Sequence, residues 1–192
     1  MNFFAKDAAL DWFYGNLPHW RQDTVCYFVT FRTADSIPQS KLKHWLQTRD
    51  LWLKANPEPR TDEQTDEYHK LFSNRLEYWL DCSYGECLLA ETALKEIVVK
   101  SLAHFHNTRY QLYEFAVAAN HVHLLIEPIN GNELSMIMHS IKSFTANEIN
   151  KAKGRTGQFW QKEYFDHILR SEDQYRKIVK YIQNHDKRGA KL

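Results

Sequence analysis

The sequence predicts an α+β protein with a ferredoxin-like (split βαβ) antiparallel sheet that carries helices on one face. β-branched and aromatic residues are concentrated at 25–32, 110–119 and 121–128, and they predict three strands. Residues 134–152 have apolar side chains at helical spacing, which predicts an amphipathic helix. The predicted order is therefore a strand, a long helical crossover, two adjacent strands, a helix, a short strand and a helix. This is a βαββαβ pattern followed by a C-terminal helix.

The first crossover is far longer than this fold requires. After the first strand, the sequence predicts polar helices at about 39–55 and 62–80, and then a third helix at 92–107 with apolar residues on one side. A minimal crossover is much shorter, so residues 39–80 are interpreted as a helical elaboration of a single domain that spans 1–192. This elaboration carries no motif to which we can assign a role.

The C-terminal half contains the elements on which the candidate functional residues lie. Residues 129–132 (Ile-Asn-Gly-Asn) predict a turn before the amphipathic helix. An aromatic-rich segment at 159–169 is expected to be partly extended. Ser171 is typical of a helix N-cap, and the last helix, which runs to about Asn184, carries Tyr181.

Composition excludes several classes of protein. The chain has 192 residues, of which 43% are hydrophobic and 14% aromatic, so it can bury a sizeable core. No run approaches the ~20 apolar residues of a membrane helix, and the N-terminus has acids where a signal peptide has a basic region. We therefore expect no membrane association and a cytoplasmic location. Three cysteines do not indicate a disulfide framework.

Charge is unevenly distributed along the chain. Residues 142–192 hold 12 Lys and Arg but only 6 Asp and Glu, whereas the whole chain has a net charge of +1. This basic third of the chain either faces a polyanion or is an ordinary solvated surface.

The motif His121-Val-His123 is the first candidate for chemistry. Residues i and i+2 of a strand point to the same face, so the two imidazoles project side by side while Val122 points to the other face. Because their strand is otherwise apolar, burial of both imidazoles without partners would be costly. A divalent metal ion or hydrogen-bonding side chains would offset that cost. Two histidines leave room for a third ligand and a phosphate oxygen, as in catalytic sites; two histidines packed on a sheet surface are the alternative.

The last helix offers a third ligand and a nucleophile. Tyr181 and His185 are four residues apart and therefore share a helix face. If His185 reaches the metal, Tyr181 is held close to any phosphate that the metal binds. A free tyrosine phenol has a pKa of ~10, so it is a poor nucleophile at neutral pH. A nearby metal and basic residues such as Lys180 would favour the phenolate, which is the form that attacks a phosphodiester. An aromatic side chain simply packed on the sheet is the alternative for Tyr181.

Taken together, these residues and several further blocks resemble the REP-associated tyrosine transposases, bacterial single-tyrosine relatives of the HUH endonuclease transposases. The resemblance spans most of the chain, from about 17 to 190. Three motifs, occurring in this order along the chain, make the resemblance specific. They are an Asn-His-hydrophobe-His strand, a Trp-Gln…Tyr-Phe-Asp block and a late Tyr-Ile. The blocks are Leu17-Pro-His-Trp20, Tyr27-Phe-Val-Thr-Phe-Arg32, Asn120-His-Val-His123 with Leu124-Leu-Ile-Glu-Pro128, His139-Ser-Ile-Lys-Ser-Phe-Thr145, Phe159-Trp-Gln161 with Glu163-Tyr-Phe-Asp-His167, and Tyr181-Ile182.

The resemblance implies roles for individual residues. The histidine pair of the family falls on His121 and His123, as ligands of a divalent ion, Mg²⁺ or Mn²⁺. The nucleophilic tyrosine falls on Tyr181. The family's asparagine four residues later is replaced by His185, which implies a three-histidine site that could take another divalent ion, or a weaker activity. Asn184 is an alternative ligand if the helix end is shifted by one residue.

The implied activity is cleavage and strand transfer of single-stranded DNA at hairpin (REP-like) sequences through a 5′-phosphotyrosine intermediate. The implied partner is single-stranded or hairpin DNA at the bacterial nucleoid, bound by a monomer or a homodimer. Tyr164 and Tyr175 are competing nucleophiles, but neither has a potential ligand one helical turn further on. The basic residues expected to contact DNA are Lys142, Lys162, Arg170 and Lys180.

Two other classes of function stay open at this point. A metal-dependent nuclease would use activated water, with Tyr181 only structural, and would form no covalent protein–DNA adduct. A non-catalytic nucleic-acid-binding module is the other class. The strands lack the Lys/Arg-Gly-aromatic run of RNA-recognition domains, but a transposase that lost activity through the change to His185 and was retained for binding is compatible with the sequence.

Overall fold

The computed structural model describes residues 1–5, 11–14, 18–57 and 60–189. It divides into two compact units. The first comprises Met1–Ala34 and Leu88–Leu192, and the second is Asp35–Cys87, which contains the elaboration at 39–80.

The first unit is built on an antiparallel sheet. Its strands, together with those of a separate N-terminal hairpin, are β1 (Asp11–Tyr14), β2 (Pro18–Arg21), β3 (Tyr27–Arg32), β4 (Tyr110–Val117), β5 (His121–Pro128) and β6 (Phe165–Ile168). β1 pairs with β2, and the four-stranded sheet has the order β4-β5-β3-β6 with every neighbouring pair antiparallel. This is the strand order of the split βαβ fold, so the predicted fold class is confirmed. The β1–β2 hairpin was not predicted.

Helices account for most of the remaining structure. They are α1 (Gln39–Ala55), α2 (Asp62–Tyr68), α3 (Asn74–Asp81), α4 (Thr92–His104), α5 (Leu134–Ala152) and α6 (Glu172–Gly189). The predicted helix at 62–80 is interrupted by a π-helical turn at His69–Ser73. The predicted cap of α6 is present, because the Gln174 backbone N–H donates to Ser171 Oγ over 3.2 Å.

The two faces of the sheet carry different helices. On one face, α4 and α5 pack against alternate side chains of the central strands. This core includes Tyr27, Val29, Phe31, Val122, Leu124, Ile126, Val98, Leu102, Met138 and Ile141. On the opposite face, α6 packs on Phe28 and Leu125 through Ile182, which is fully buried. The predicted helical face is therefore that of α4 and α5, and the helix that carries Tyr181 covers the other side.

The strand β5 is buried along its whole length because both faces of the sheet are covered. All eight of its residues are buried, which explains its nearly continuous apolar sequence. Within this setting, His121 and His123 lie on the α6 face while Val122 enters the α4–α5 core.

The second unit consists of helices around an aromatic cluster. Trp52, Tyr68 and Phe72 contact one another with ring centroids 5.3–5.9 Å apart, and Trp45 packs on Phe72. The Arg60 guanidinium lies over the ring of Trp52, with 5.6 Å between Cζ and the ring centroid. In the part of the chain that the structure describes, no helix has both the length and the apolar character needed to cross a membrane.

Candidate active site

Three imidazoles converge on the α6 face of the sheet. The alternation of β5 places His121 and His123 on this face, and α6 brings His185 to them. His121 Nε2 and His185 Nε2 are 3.0 Å apart, and one ligand nitrogen from each of the three rings lies within 4.8 Å of the others. All three side chains are buried. The structure thus brings together the three histidines that the sequence singled out.

Two neighbouring side chains fix the orientation of the strand histidines. His121 Nδ1 donates to Asn120 Oδ1 over 2.8 Å, because an amide oxygen can only accept. His123 Nδ1 and Thr30 Oγ1 share a hydrogen bond of 2.8 Å. In both rings the Nδ1 atom is therefore occupied, and the Nε2 atom is directed to the other imidazoles. Such an outer hydrogen bond typically sets the tautomer of a metal-binding histidine.

Burial keeps these rings neutral. It lowers the pKa of His121 to about 3, with the nearby His185 as a second cause. Burial lowers the pKa of His123 well below its usual value, and the other two imidazoles lower it further. Neutral imidazole is the form that binds a metal ion, so these two ligands need no deprotonation at neutral pH.

The chemistry of the donors fits a divalent metal ion. Two imidazole nitrogens bound at about 2.1 Å to one tetrahedral ion lie about 3.4 Å apart, which is close to the 3.0 Å between His121 Nε2 and His185 Nε2. Within the described residues, the cluster contains three imidazoles and no carboxylate. Three ligands leave coordination positions open for substrate oxygen atoms, as in catalytic rather than structural sites.

Tyr181 lies at the edge of the histidine cluster. Its hydroxyl is 3.3 Å from His123 Nε2 and 3.4 Å from His185 Nε2. The position follows from α6, on which Tyr181 and His185 are one turn apart, and from the buried Ile182 that fixes this turn on the sheet. Phe28 completes the setting, since its ring stacks on His123 and meets Tyr181 edge-on. The predicted nucleophile and the predicted ligands therefore lie within hydrogen-bonding range of one another.

The residues that compete with Tyr181 as nucleophile and with His185 as ligand have different environments. The Tyr164 hydroxyl accepts a hydrogen bond from Arg21 over 3.0 Å, and burial raises the pKa of Tyr164 to about 12. Tyr175 packs edge-on against Tyr113, and burial raises its pKa as well. Asn184, the alternative ligand, is exposed, whereas His185 is buried.

The four basic residues predicted to contact DNA lie on different elements and loops of the fold. Lys142 is half-buried on α5, and its Nζ donates to the backbone carbonyl of Lys162 over 2.6 Å. Arg170 is exposed just before α6 and lies over the ring of Phe4, and Lys180 is exposed on α6. Of the sequence blocks noted above, residues 17–20 lie outside the part of the chain whose side chains the structure describes.

Sequence reasoning assigned no role to several residues that build this site. Thr30 and Asn120 orient the imidazoles, Phe28 packs against His123, and Arg32 lies beside His121 in the sheet. A usable signal was present in β3, where Thr30 and Arg32 interrupt an otherwise apolar strand at a spacing of two residues.

Comparison with known proteins gives the family. The site combines three imidazoles that can bind a divalent metal ion with a tyrosine hydroxyl at their edge. The family model described as "Transposase IS200 like" matches residues 88–185, which is just over half of the chain and includes all three histidines and Tyr181. The chain belongs to the IS200-like transposase family, and this places it among enzymes that cut and move DNA.

Two solved structures are similar to this chain. One is a REP-associated tyrosine transposase bound to a REP hairpin, with 13% sequence identity and a TM-score of 0.45, and the match covers 100% of this chain and 76% of that one. The other is a candidate transposase from Deinococcus radiodurans, with 16% identity and a TM-score of 0.36 over 86% of this chain and 93% of that one. Among curated proteins, none matches this sequence.

Proposed function

We propose that this protein cleaves single-stranded DNA at hairpin (REP-like) sequences and rejoins the strands through a 5′-phosphotyrosine intermediate on Tyr181. The observation that carries the proposal is the distance of the Tyr181 hydroxyl from two imidazole nitrogens, 3.3 Å to His123 and 3.4 Å to His185. A phosphate that contacts the histidine cluster would lie within reach of this hydroxyl, which is what nucleophilic attack requires.

The chemical step needs only groups that the chain and the DNA supply. The Tyr181 oxygen forms a bond to phosphorus while the bond from phosphorus to the 3′ oxygen breaks. The phenolic proton is released, and the departing oxygen takes up a proton to become a free 3′-hydroxyl. Because a phosphodiester is exchanged for another phosphodiester, attack by a second 3′-hydroxyl reverses the step without ATP and joins new strands.

His121, His123 and His185 would hold a divalent ion in this reaction. When bound, such an ion supplies positive charge that polarises the scissile phosphate. Mg²⁺ prefers oxygen ligands, whereas imidazole suits transition metals. The donor set of this chain therefore favours Mn²⁺ over Mg²⁺, with Zn²⁺ or a related ion as a further occupant. The chain's part is to keep the rings of His121 and His123 neutral by burial and to orient them through Asn120 and Thr30.

The substrate is single-stranded DNA with a hairpin, bound where such elements occur at the bacterial nucleoid, by a monomer or a homodimer. Lys142, Lys162, Arg170 and Lys180 would contact phosphates of this DNA, which contributes affinity without sequence specificity. The exposed positions of Lys162, Arg170 and Lys180 are compatible with such contacts.

The decisive experiment compares the wild type with Tyr181→Phe. A labelled oligonucleotide with a hairpin and single-stranded flanks is incubated with either protein and Mn²⁺ or Mg²⁺, and the products are separated under denaturing conditions. We expect a covalent protein–DNA adduct with the wild type and none with Tyr181→Phe. Tyr175→Phe is the matched control on the same helix, and it should retain the adduct.

Other results would contradict the proposal. If Tyr181→Phe cuts as well as the wild type, Tyr181 is not the nucleophile. If the wild type cuts DNA but no adduct forms at any time, the protein is a nuclease that uses water.

A further inference from the structure

Phe165, on β6, projects from the same face of the sheet as the histidine cluster. The register pairs Phe165 with Thr30 of β3, and it pairs Thr30 with His123 of β5. Directly opposed residues of antiparallel strands project from the same face, and the 2.8 Å hydrogen bond between Thr30 and His123 shows that this is the face of the cluster. Phe165 therefore lies two strands away from His123, which is about 10 Å at the usual strand spacing.

Gln161 lies at the same edge of this face. Its backbone N–H donates to the carbonyl of Arg32 over 2.8 Å, next to the β-bridge that Trp160 forms with the residue after Arg32. This pairing places Gln161 opposite Arg32, which is itself opposite His121. Trp160 enters the α4–α5 core, so the next residue of the extended segment is directed to the other face. Gln161 and Phe165 thus lie beside the histidine cluster on the side of β6.

The ring of Phe165 is not part of the apolar core. Its neighbours Tyr164 and Asp166 project to the other face, where both are hydrogen-bonded to Arg21. Phe165 is half-buried and belongs to neither apolar cluster of the described residues, and its ring meets that of His167 edge-on, with centroids 5.8 Å apart. The helix α6 packs mainly on β4 and β5, towards the opposite edge of the sheet from β6. An aromatic ring therefore lies at the border of the candidate active site.

The side chain of Gln161 adds hydrogen-bonding groups to this border. Gln161 is half-buried, and its side-chain amide makes no hydrogen bond within the part of the chain that the structure describes. A glutamine amide has both a donor and an acceptor, a combination that pairs with N6 and N7 of adenine. A phenyl ring stacks on the face of any base. A ring and an amide together fit a nucleobase, which has an apolar face and a polar edge.

We propose that Phe165 and Gln161 form a binding site for one unpaired base of the DNA substrate, at the nucleotide next to the phosphate that Tyr181 attacks. The inference rests on the proposed function. The adjoining nucleotide is assigned because Phe165 is about 10 Å from His123 across the sheet, while the Tyr181 hydroxyl is 3.3 Å from the same imidazole. Phe165 holds the base by stacking, and Gln161 gives a preference for adenine at this position.

The first test measures DNA affinity with cleavage blocked. Tyr181→Phe protein is compared with the same protein carrying Phe165→Leu, by fluorescence anisotropy with a hairpin oligonucleotide that has single-stranded flanks. Loss of one base–aromatic stack should weaken binding by about 5- to 150-fold. Phe165→Tyr keeps the ring and should retain the affinity. The matched control is Phe144→Leu, which removes a 53% exposed ring from α5 on the other face of the sheet.

Abasic nucleotides then locate the contact. Each unpaired nucleotide is replaced in turn by an abasic one, and the length of the strand released by the wild type gives the cleavage point. We expect one position, adjacent to that point, at which the abasic substitution weakens binding to the Tyr181→Phe protein and removes the difference caused by Phe165→Leu. Phe144→Leu should couple to no position in the same series.

Gln161→Ala tests the preference for adenine and is independent of the aromatic ring. All four bases are compared at the position that couples to Phe165. The Tyr181→Phe protein should bind adenine most tightly, and Gln161→Ala should reduce this preference by about fivefold or more, since one bidentate pair discriminates by this amount. This variant also keeps the inference testable if Phe165→Leu reduces thermal stability.

The outcomes separate this inference from the proposed function. If the wild type forms the covalent adduct but no unpaired position couples to Phe165, the base site is refuted and the proposed function stands. If one unpaired position couples to both Phe165 and Gln161 but the wild type forms no adduct, the base site stands and the proposed function fails. A loss of affinity that is equal at every abasic position would refute the base site, and coupling at a position remote from the cleavage point would refute its placement.

Discussion

Thr30→Val tests whether the protein orients His123 for metal binding. The substitution keeps the shape of the side chain and removes the hydroxyl that shares a 2.8 Å hydrogen bond with His123 Nδ1. Thr30 is 3% exposed and His123 is fully buried, so water cannot replace the lost partner. We expect the free energy of unfolding to fall by about 1–3 kcal/mol, which is the cost of a buried polar group left without its hydrogen bond.

The effect on metal affinity is the more specific part of this prediction. When Nε2 of His123 binds a cation, Nδ1 carries the proton and donates it to Thr30, and the positive charge strengthens that hydrogen bond. Loss of such a partner weakens metal binding by about 10- to 100-fold, or about 1.4–2.8 kcal/mol. Isothermal titration calorimetry of the metal-stripped protein with Mn²⁺ measures this change directly and does not depend on DNA cleavage.

The matched control is Thr33→Val. Thr33 is also 3% exposed and lies three residues further along the same segment, where the alternation of the strand directs its side chain to the opposite face from Thr30. It should leave the Mn²⁺ affinity unchanged whatever its effect on stability. If Thr30→Val binds Mn²⁺ as tightly as the wild type does, the hydrogen bond does not prepare His123 for a metal and this part of the reasoning is wrong.

Two further predictions concern metal selectivity and pH. His185→Asn replaces an imidazole by an amide, whose oxygen is a harder donor, so the preference for Zn²⁺ over Mg²⁺ measured by calorimetry should fall by about tenfold; His185→Ala should weaken the binding of both ions instead. DNA affinity should decrease as the pH rises above about 8, because burial lowers the pKa of Lys142, one of the residues proposed to contact DNA phosphates, to about 8, so that it loses its charge. A bound phosphate favours the charged lysine and moves the decrease to somewhat higher pH. Lys142→Arg should remove this part of the pH dependence in anisotropy titrations, and an unchanged pH profile would contradict it.

Much of the sheet was predictable because the relevant signals are local. The strands β3, β4 and β5 have six to eight residues of β-type composition, and α5 has a clear helical period. The N-terminal hairpin was missed because β1 and β2 have four residues each, which is too short for a periodicity to stand out. The π-helical turn in the second unit was missed because a helix with one wider turn has nearly the same sequence pattern as a continuous helix.

The candidate site also contains residues that could be predicted from local sequence and residues that could not. The spacing of His121 and His123 on a strand and that of Tyr181 and His185 on a helix are local, so each pair could be read from the sequence. The positions of Thr30 and Arg32 depend on the register between β3 and β5, which are about ninety residues apart in the chain, as the pairing of Thr30 with His123 shows. Register is set by tertiary packing rather than by either strand alone, so the polar character of these two residues marks them as unusual in β3 but does not show which histidine each one lies beside.

The shared helical turn of Tyr181 and His185 has a consequence for how the active centre can be monitored. Both side chains belong to one stretch of α6. If that helix moved away from the sheet, a bound cation would lose one ligand, and the attacking oxygen would leave the site at the same time. The coordination number of a paramagnetic or coloured ion such as Co²⁺ would then report whether the helix is seated. Spectroscopy of the ion could follow the assembly and disassembly of the catalytic centre without any label on the DNA.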